Sequence, residues 1–146
     1  MSEFEQTTPY LKSLPTRLLS LAGTRGSGLS RSALAKHCAT QFDFAVMATL
    51  VGEGAISQAE LCRRTGLDRK DIATVVTDLE KRGDVERSTD LGDARRKIVD
   101  ITSQGASRFA ELKTVMAESQ AVATAMLSAD EKQALIAILN KMLASR

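Results

Sequence analysis

The chain has 146 residues with 26% charged and only 3% aromatic side chains, enough for a single domain with one aliphatic core. Its formal net charge of +2 does not argue for nucleic acid by itself. The absence of a basic-then-apolar leader, of a membrane-length apolar run and of any paired cysteine spacing argues for the cytoplasm and against a membrane, a disulfide framework or a metal site; nothing calls for a cofactor.

In chain order, residues 1–8 read as a frayed polar tail. From Pro9, the residues Leu11, Leu14, Leu18, Leu19 and Ala22 repeat at helical spacing, with Pro15 placed in a first turn or at a kink. Three glycines at 23, 26 and 28 predict a bend or loop there, with a second helix over Leu29 to Cys38. Thr40-Gln41-Phe42-Asp43 predicts a capped helix carrying Phe44, Met47, Ala48, Leu50 and Val51 into the core and closing at Gly52 and Gly54. Ala55-Ile56 predicts a brief strand.

The most informative stretch follows. Ser57-Gln58-Ala59-Glu60 has capping-box spacing, so a short helix should begin there, turn Ala59, Leu61 and Cys62 inward and end at Gly66. Asp68 offers a second cap, with Asp71 three residues on and Ile72, Val75, Val76 and Leu79 at helical intervals up to Gly83. Two capped helices about a Thr65-Gly66-Leu67 turn predict a helix-turn-helix, whose second helix enters a DNA major groove. Its outward face would present Arg69, Lys70, Thr74 and Thr77, with Ser57 and Gln58 at the start of the first helix as further candidate DNA contacts. Residues 85–88 and 97–101 then predict a hairpin, or wing, whose tip carries Arg95, Arg96 and Lys97 toward the duplex backbone or a narrow minor groove. Asp93 would support the tip by pairing with Arg95 or Arg96.

Charge distribution supports the same region. Ten of the 20 Lys and Arg lie between Arg63 and Lys97, and none between Cys38 and Cys62. Eight acids are interleaved with those ten, so the helix and wing tips must present the positive patch.

Beyond Thr102, Ala106, Phe109, Leu112, Val115, Met116 and Val122 predict a long helix to about Leu127. Ser128-Ala129-Asp130-Glu131 is another capping box, followed by Leu135, Ile138, Leu139, Met142 and Leu143 at regular helical spacing. An apolar stripe that long, after a core has already formed, predicts a second surface to bury.

Leu61-Cys62-Arg63-Arg64-Thr65-Gly66-Leu67, Leu79-Glu80-Lys81-Arg82-Gly83, Asp93-Ala94-Arg95-Arg96 and Ile101-Thr102-Ser103-Gln104-Gly105 resemble the MarR family of bacterial transcription regulators. The resemblance implies a mainly α fold with a small β-hairpin wing: a winged helix-turn-helix over 40–102, with dimerisation helices over 9–38 and 103–146, in a single domain. It further implies a homodimer on a pseudo-palindromic operator, a repressor's role, Arg95 in the minor groove, and release by a small aromatic or phenolic effector. The family usually has one long helix where Gly23, Gly26 and Gly28 interrupt this chain, so two helices are expected here.

Blander readings compete. The basic face could be solvated surface, and Arg95, Arg96 and Lys97 could simply guard a hairpin edge. Cys62 reads as a small core residue, and His37 as structural. Cys38 reads as a bystander thiol, with a redox-sensing regulator as the alternative. A winged helix can also serve as a protein-interaction module. An enzyme is disfavoured, because nothing pairs a nucleophile with a base, sets two carboxylates together or clusters metal ligands.

Overall fold

The computed structural model describes residues 1–145. The elements are α1 (Pro9–Lys12), α2 (Pro15–Ala35), α3 (Gln41–Glu53), β1 (Ile56–Ser57), α4 (Gln58–Thr65), α5 (Arg69–Arg82), β2 (Val85–Thr89), β3 (Lys97–Ile101), α6 (Ser103–Ala123) and α7 (Ala129–Ala144). The fold is therefore mainly α with one small antiparallel sheet, ordered β1-β3-β2. The wing pairs Val85 with Ile101 through to Thr89 with Lys97, and the predicted third strand pairs Ile56 with Val99.

The caps explain most of the boundaries. Thr40 and Asp43 form a reciprocal box, the hydroxyl accepting the Asp43 amide at 3.0 Å and the carboxylate accepting the Thr40 amide at 2.9 Å. Ser128 and Glu131 repeat it on α7. Gly66 and Gly83 end α4 and α5 at φ of 73° and 84°, a left-handed backbone that a β-carbon disfavours.

The glycine-rich break does not occur. Helix α2 runs unbroken through Gly23, Gly26 and Gly28, none of which has positive φ. Glycine makes a helix less favourable without forbidding it, whereas proline lacks the amide that the ladder needs and drives its predecessor out of helical conformation. The break therefore falls at Ser13-Leu14, immediately before Pro15. The polar tail is also more ordered than expected. It forms a turn in which the Gln6 amide donates to the Ser2 and Glu3 carbonyls, while Lys12 donates to the Glu5 carbonyl at 2.8 Å and sits 5.3 Å from the Phe4 ring centre.

The chain divides into two compact units, one of residues 1–29 with the chain from Ala117 on, the other of residues 30–116. The second holds the core: Leu34, Val46, Met47, Leu50, Leu61, Ile72, Val76, Leu79, Val85, Val99 and Leu112 are all fully or almost fully buried. Phe44 and Phe109 join α3 to α6 with ring centres 5.3 Å apart. Val51, expected inside, faces solvent. In the first unit Leu21, Val122, Met126, Ile136, Ile138 and Leu143 are all exposed.

Candidate nucleic-acid interface

Helix α5 is placed by its buried stripe of Ile72, Val75, Val76 and Leu79, which turns the opposite face outward. The Asp68 carboxylate accepts the Asp71 amide at 2.8 Å and fixes where the helix starts. Arg69 and Lys70 are thereby held in its first turn, both exposed.

The wing is fastened to this helix by one acidic residue. Glu80, on α5, accepts the Arg87 amide at 3.0 Å and the Arg87 guanidinium at 3.1 Å, so strand β2 is bonded through both backbone and side chain. The guanidinium hydrogen bond, then the backbone one, lowers the Glu80 pKa from its ordinary value. At the tip, the Asp93 carboxylate accepts the Arg95 amide at 2.9 Å and lies 3.5 Å from its guanidinium. Arg95 itself remains 94% exposed. Asp90, which sequence reading missed, closes the other side: its carboxylate accepts the Gly92 amide at 2.9 Å and pairs with Arg96 at 3.4 Å. The Asp-x-Gly spacing was the available signal, since aspartate favours a local turn of this kind.

These elements enclose a groove of about 460 Å³ lined by Ser57, Gln58, Ala59, Cys62, Arg69, Lys70, Ala73, Arg95, Arg96 and Lys97. Three segments thus converge, the starts of the neighbouring helices α4 and α5 and, from more than twenty residues further on, the wing. Thr74 and Thr77 line an adjoining groove of about 430 Å³ with Ala73, Asp78 and Lys81. Lys97 stands on strand β3 opposite Thr89, rather than in the loop at the tip.

Two local expectations fail. Ala59 is exposed and lines the groove instead of the core. The box at Ser57 is half made: its hydroxyl accepts the Glu60 amide at 3.1 Å, but the Glu60 side chain turns to Arg63 and Arg64 instead of the Ser57 amide. Two nearby guanidiniums outcompete one neutral amide for a carboxylate, because charge-assisted bonds are the stronger. The Arg63 hydrogen bond is the main cause of the lowered Glu60 pKa. Cys62 is half-buried at the edge of the core, as its apolar reading implied, and also lines the groove.

A buried cluster at the far end of α5 was invisible in the sequence. Asp84 is 1% exposed and its carboxylate pairs with Arg108 of α6 at 2.6 Å, while Gln104 donates to the same carboxylate at 3.1 Å. Arg108 also donates to the Cys38 carbonyl at 2.9 Å, and Arg82 donates there at 2.6 Å. Cys38 has φ of 56°, and these two guanidiniums hold the turn that ends α2. Its backbone carbonyl, rather than its exposed thiol, is what the fold engages. Thr102 caps α6 by accepting the Gly105 amide at 3.0 Å and donates to the Gly83 carbonyl at 2.7 Å. A β-carbon on Gly105 would lie 2.0 Å from the Asp84 carbonyl oxygen, which accounts for the glycine of the Thr-x-x-Gly exit. Helix α5, the wing and the first turns of α6 are thus joined at one point.

A family model described as the MarR family matches residues 41–96, from the first residue of α3 into the wing tip. The HTH-type transcriptional repressor NicR of Pseudomonas putida is 32% identical over 106 residues, covering 73% of this chain and 67% of NicR. The chain belongs to the MarR family. Solved structures of other regulators agree in fold along nearly the whole chain. PcaV of Streptomyces coelicolor, solved with its natural ligand, is 27% identical with a TM-score of 0.82 over 95% of this chain and 98% of PcaV. BpsR of Bordetella bronchiseptica, whose DNA binding is regulated by 6-hydroxynicotinic acid, gives 0.86 at 21% identity, covering 96% of this chain and all of BpsR. This is a family of DNA-binding transcription regulators rather than of enzymes. Among the described residues no helix is long and apolar enough to cross a membrane.

Proposed function

We propose that this MarR-family protein is a homodimeric repressor that reads a pseudo-palindromic operator in the cytoplasm and is released by a small aromatic or phenolic ligand. The observation that carries the reading is the shared groove, where Arg69 and Lys70 of the recognition helix meet Arg95, Arg96 and Lys97 of the wing. Cations at a helix start donate to guanine or phosphate, and an exposed arginine at a wing tip suits a narrow, electronegative minor groove. Gln58 stands beside them and can bond the phosphate backbone, whereas Ser57 is 3% exposed with its hydroxyl on the Glu60 amide and serves to place the start of α4.

A second copy of the chain is the partner that the exposed apolar face of α7 calls for. Closed two-fold dimers are the commonest oligomers of soluble proteins, and their interface is self-complementary. Two recognition helices would then sit roughly 34 Å apart, one helical turn of DNA. Repression follows the likeness to NicR, and an effector the likeness to PcaV.

The test is fluorescence anisotropy of the full chain with the region upstream of its own gene and with a scrambled duplex, across a salt series. A preference of about a thousandfold for the native region is expected. Replacing Arg95 and Arg96 together by alanine removes four cations from the dimer, which should weaken binding and reduce the logarithmic salt slope by about four. Unchanged affinity in that double variant would overturn the reading. A panel of small aromatic acids and phenols added to the complex then tests for release.

A further inference from the structure

We infer that Thr74 reads the 5-methyl group of a thymine in each operator half-site, through its own γ-methyl. This rests on the recognition face of α5 being the DNA-reading face. Along that face the chemistry changes from one turn to the next. Arg69 and Lys70 put charge in the first turn, whereas the second turn offers only Ala73 and Thr74. Ala73 lines both grooves, so this uncharged step lies at their junction. Asp78, the acid that lines the second groove, is paired with Arg82 at 3.2 Å.

The one proton of the Thr74 hydroxyl is already committed, for it donates to the Lys70 carbonyl one turn back at 3.0 Å, so the side chain has no donor left for a base edge. Thr49, Thr65 and Thr114 close the same bond on their own helices, and Thr124 does so just past the end of α6, so the bond is an ordinary helical habit. Its consequence is particular to this position: on an exposed face aimed at a major groove, Thr74 presents a methyl group. The thymine methyl is the apolar feature of major-groove base edges, and cytosine lacks it. Methyl against methyl favours thymine over cytosine without a hydrogen bond.

The experiment starts from duplexes that the full-length protein enriches from a random pool. Each thymine of the enriched site is then replaced by uracil, which removes only the methyl group. One position per half-site should weaken wild-type binding, by about fourfold per methyl lost. Thr74→Ser, which keeps the hydroxyl, should bind the thymine and uracil duplexes alike. Thr74→Val, which keeps a methyl, should retain the discrimination. Equal unfolding midpoints would show that both variants are folded.

Discrimination that survives Thr74→Ser, or disappears in Thr74→Val, would overturn the assignment. So would a wild-type protein indifferent to uracil at every position while still preferring the enriched duplex over a scrambled one, and the regulator reading would stand in that case. A protein with no preference for any duplex would overturn both.

Discussion

The two units treat their apolar residues in opposite ways. In residues 30–116 the apolar side chains converge on one core, and even the buried Asp84 carboxylate has an arginine and a glutamine on it. In the other unit α7 has no buried residue, although its apolar residues recur as regularly as those of α5; Ile138 is 57% and Leu143 84% exposed. Hydrophobic stabilisation scales with the apolar area removed from water. The same helical pattern is therefore covered within the chain in one unit and left exposed in the other, the face given to a second copy in the proposed dimer.

The largest expected effect comes from breaking the outer surface. Ile138→Glu should convert the proposed dimer to monomer at micromolar concentration, measured by light scattering. Operator affinity should fall by at least about a hundredfold, because the second half-site no longer binds at high effective concentration. A variant that keeps dimer mass and full affinity would move the interface elsewhere.

Next is the interior of the reading unit. Arg108→Ala leaves Asp84 buried without its cation and should cost about 3 to 5 kcal/mol in urea unfolding. A cost below about 1 kcal/mol would mean that water replaces the arginine, and that the link between α5 and α6 is looser than its 2.6 Å contact implies.

A smaller effect concerns the tie between wing and helix. Glu80 has a pKa below its usual 4.5, chiefly through Arg87. A depressed carboxylate stabilises the fold fully above the unfolded value and loses that contribution as pH falls through the lower folded value. The Arg87 amide resonance should therefore titrate with a midpoint below 4.5 and stay flat toward neutrality. A midpoint at or above 4.5 would show the tie to be open in solution.

The smallest effect tests the helix that was expected to break. Gly23→Ala should raise stability by up to about 1 kcal/mol, since its β-carbon would meet nothing within 4 Å and the helix gains a better former. A loss of stability instead would place another backbone, that of the proposed second copy, against that face.

Much of the reading unit was legible because its signals are local. A cap spans three residues and a stripe repeats within a turn or two, so Thr40, Asp68, Gly66 and Gly83 marked their boundaries, and Ile72 to Leu79 marked the buried face of α5. The misses were contests between neighbours or contacts across the chain. Glu60 had the spacing for a capping box, but Arg63 and Arg64 held it. Ala59 is apolar and two residues from the buried Leu61, yet it opens into the groove.

The sequence alone determined where α3, α4, α5 and α7 begin, where α4 and α5 end, which face of α5 is basic, and that α7 carries an apolar stripe, since each follows from hydrogen bonding and periodicity within about one turn of chain. Tertiary structure decided that residues 57, 69 and 95 line one groove, that α2 tolerates its glycines, and that Asp84 meets Arg108 from 24 residues away. Those outcomes depend on which distant groups are brought together, and burial of a shared core, not local propensity, brings them there.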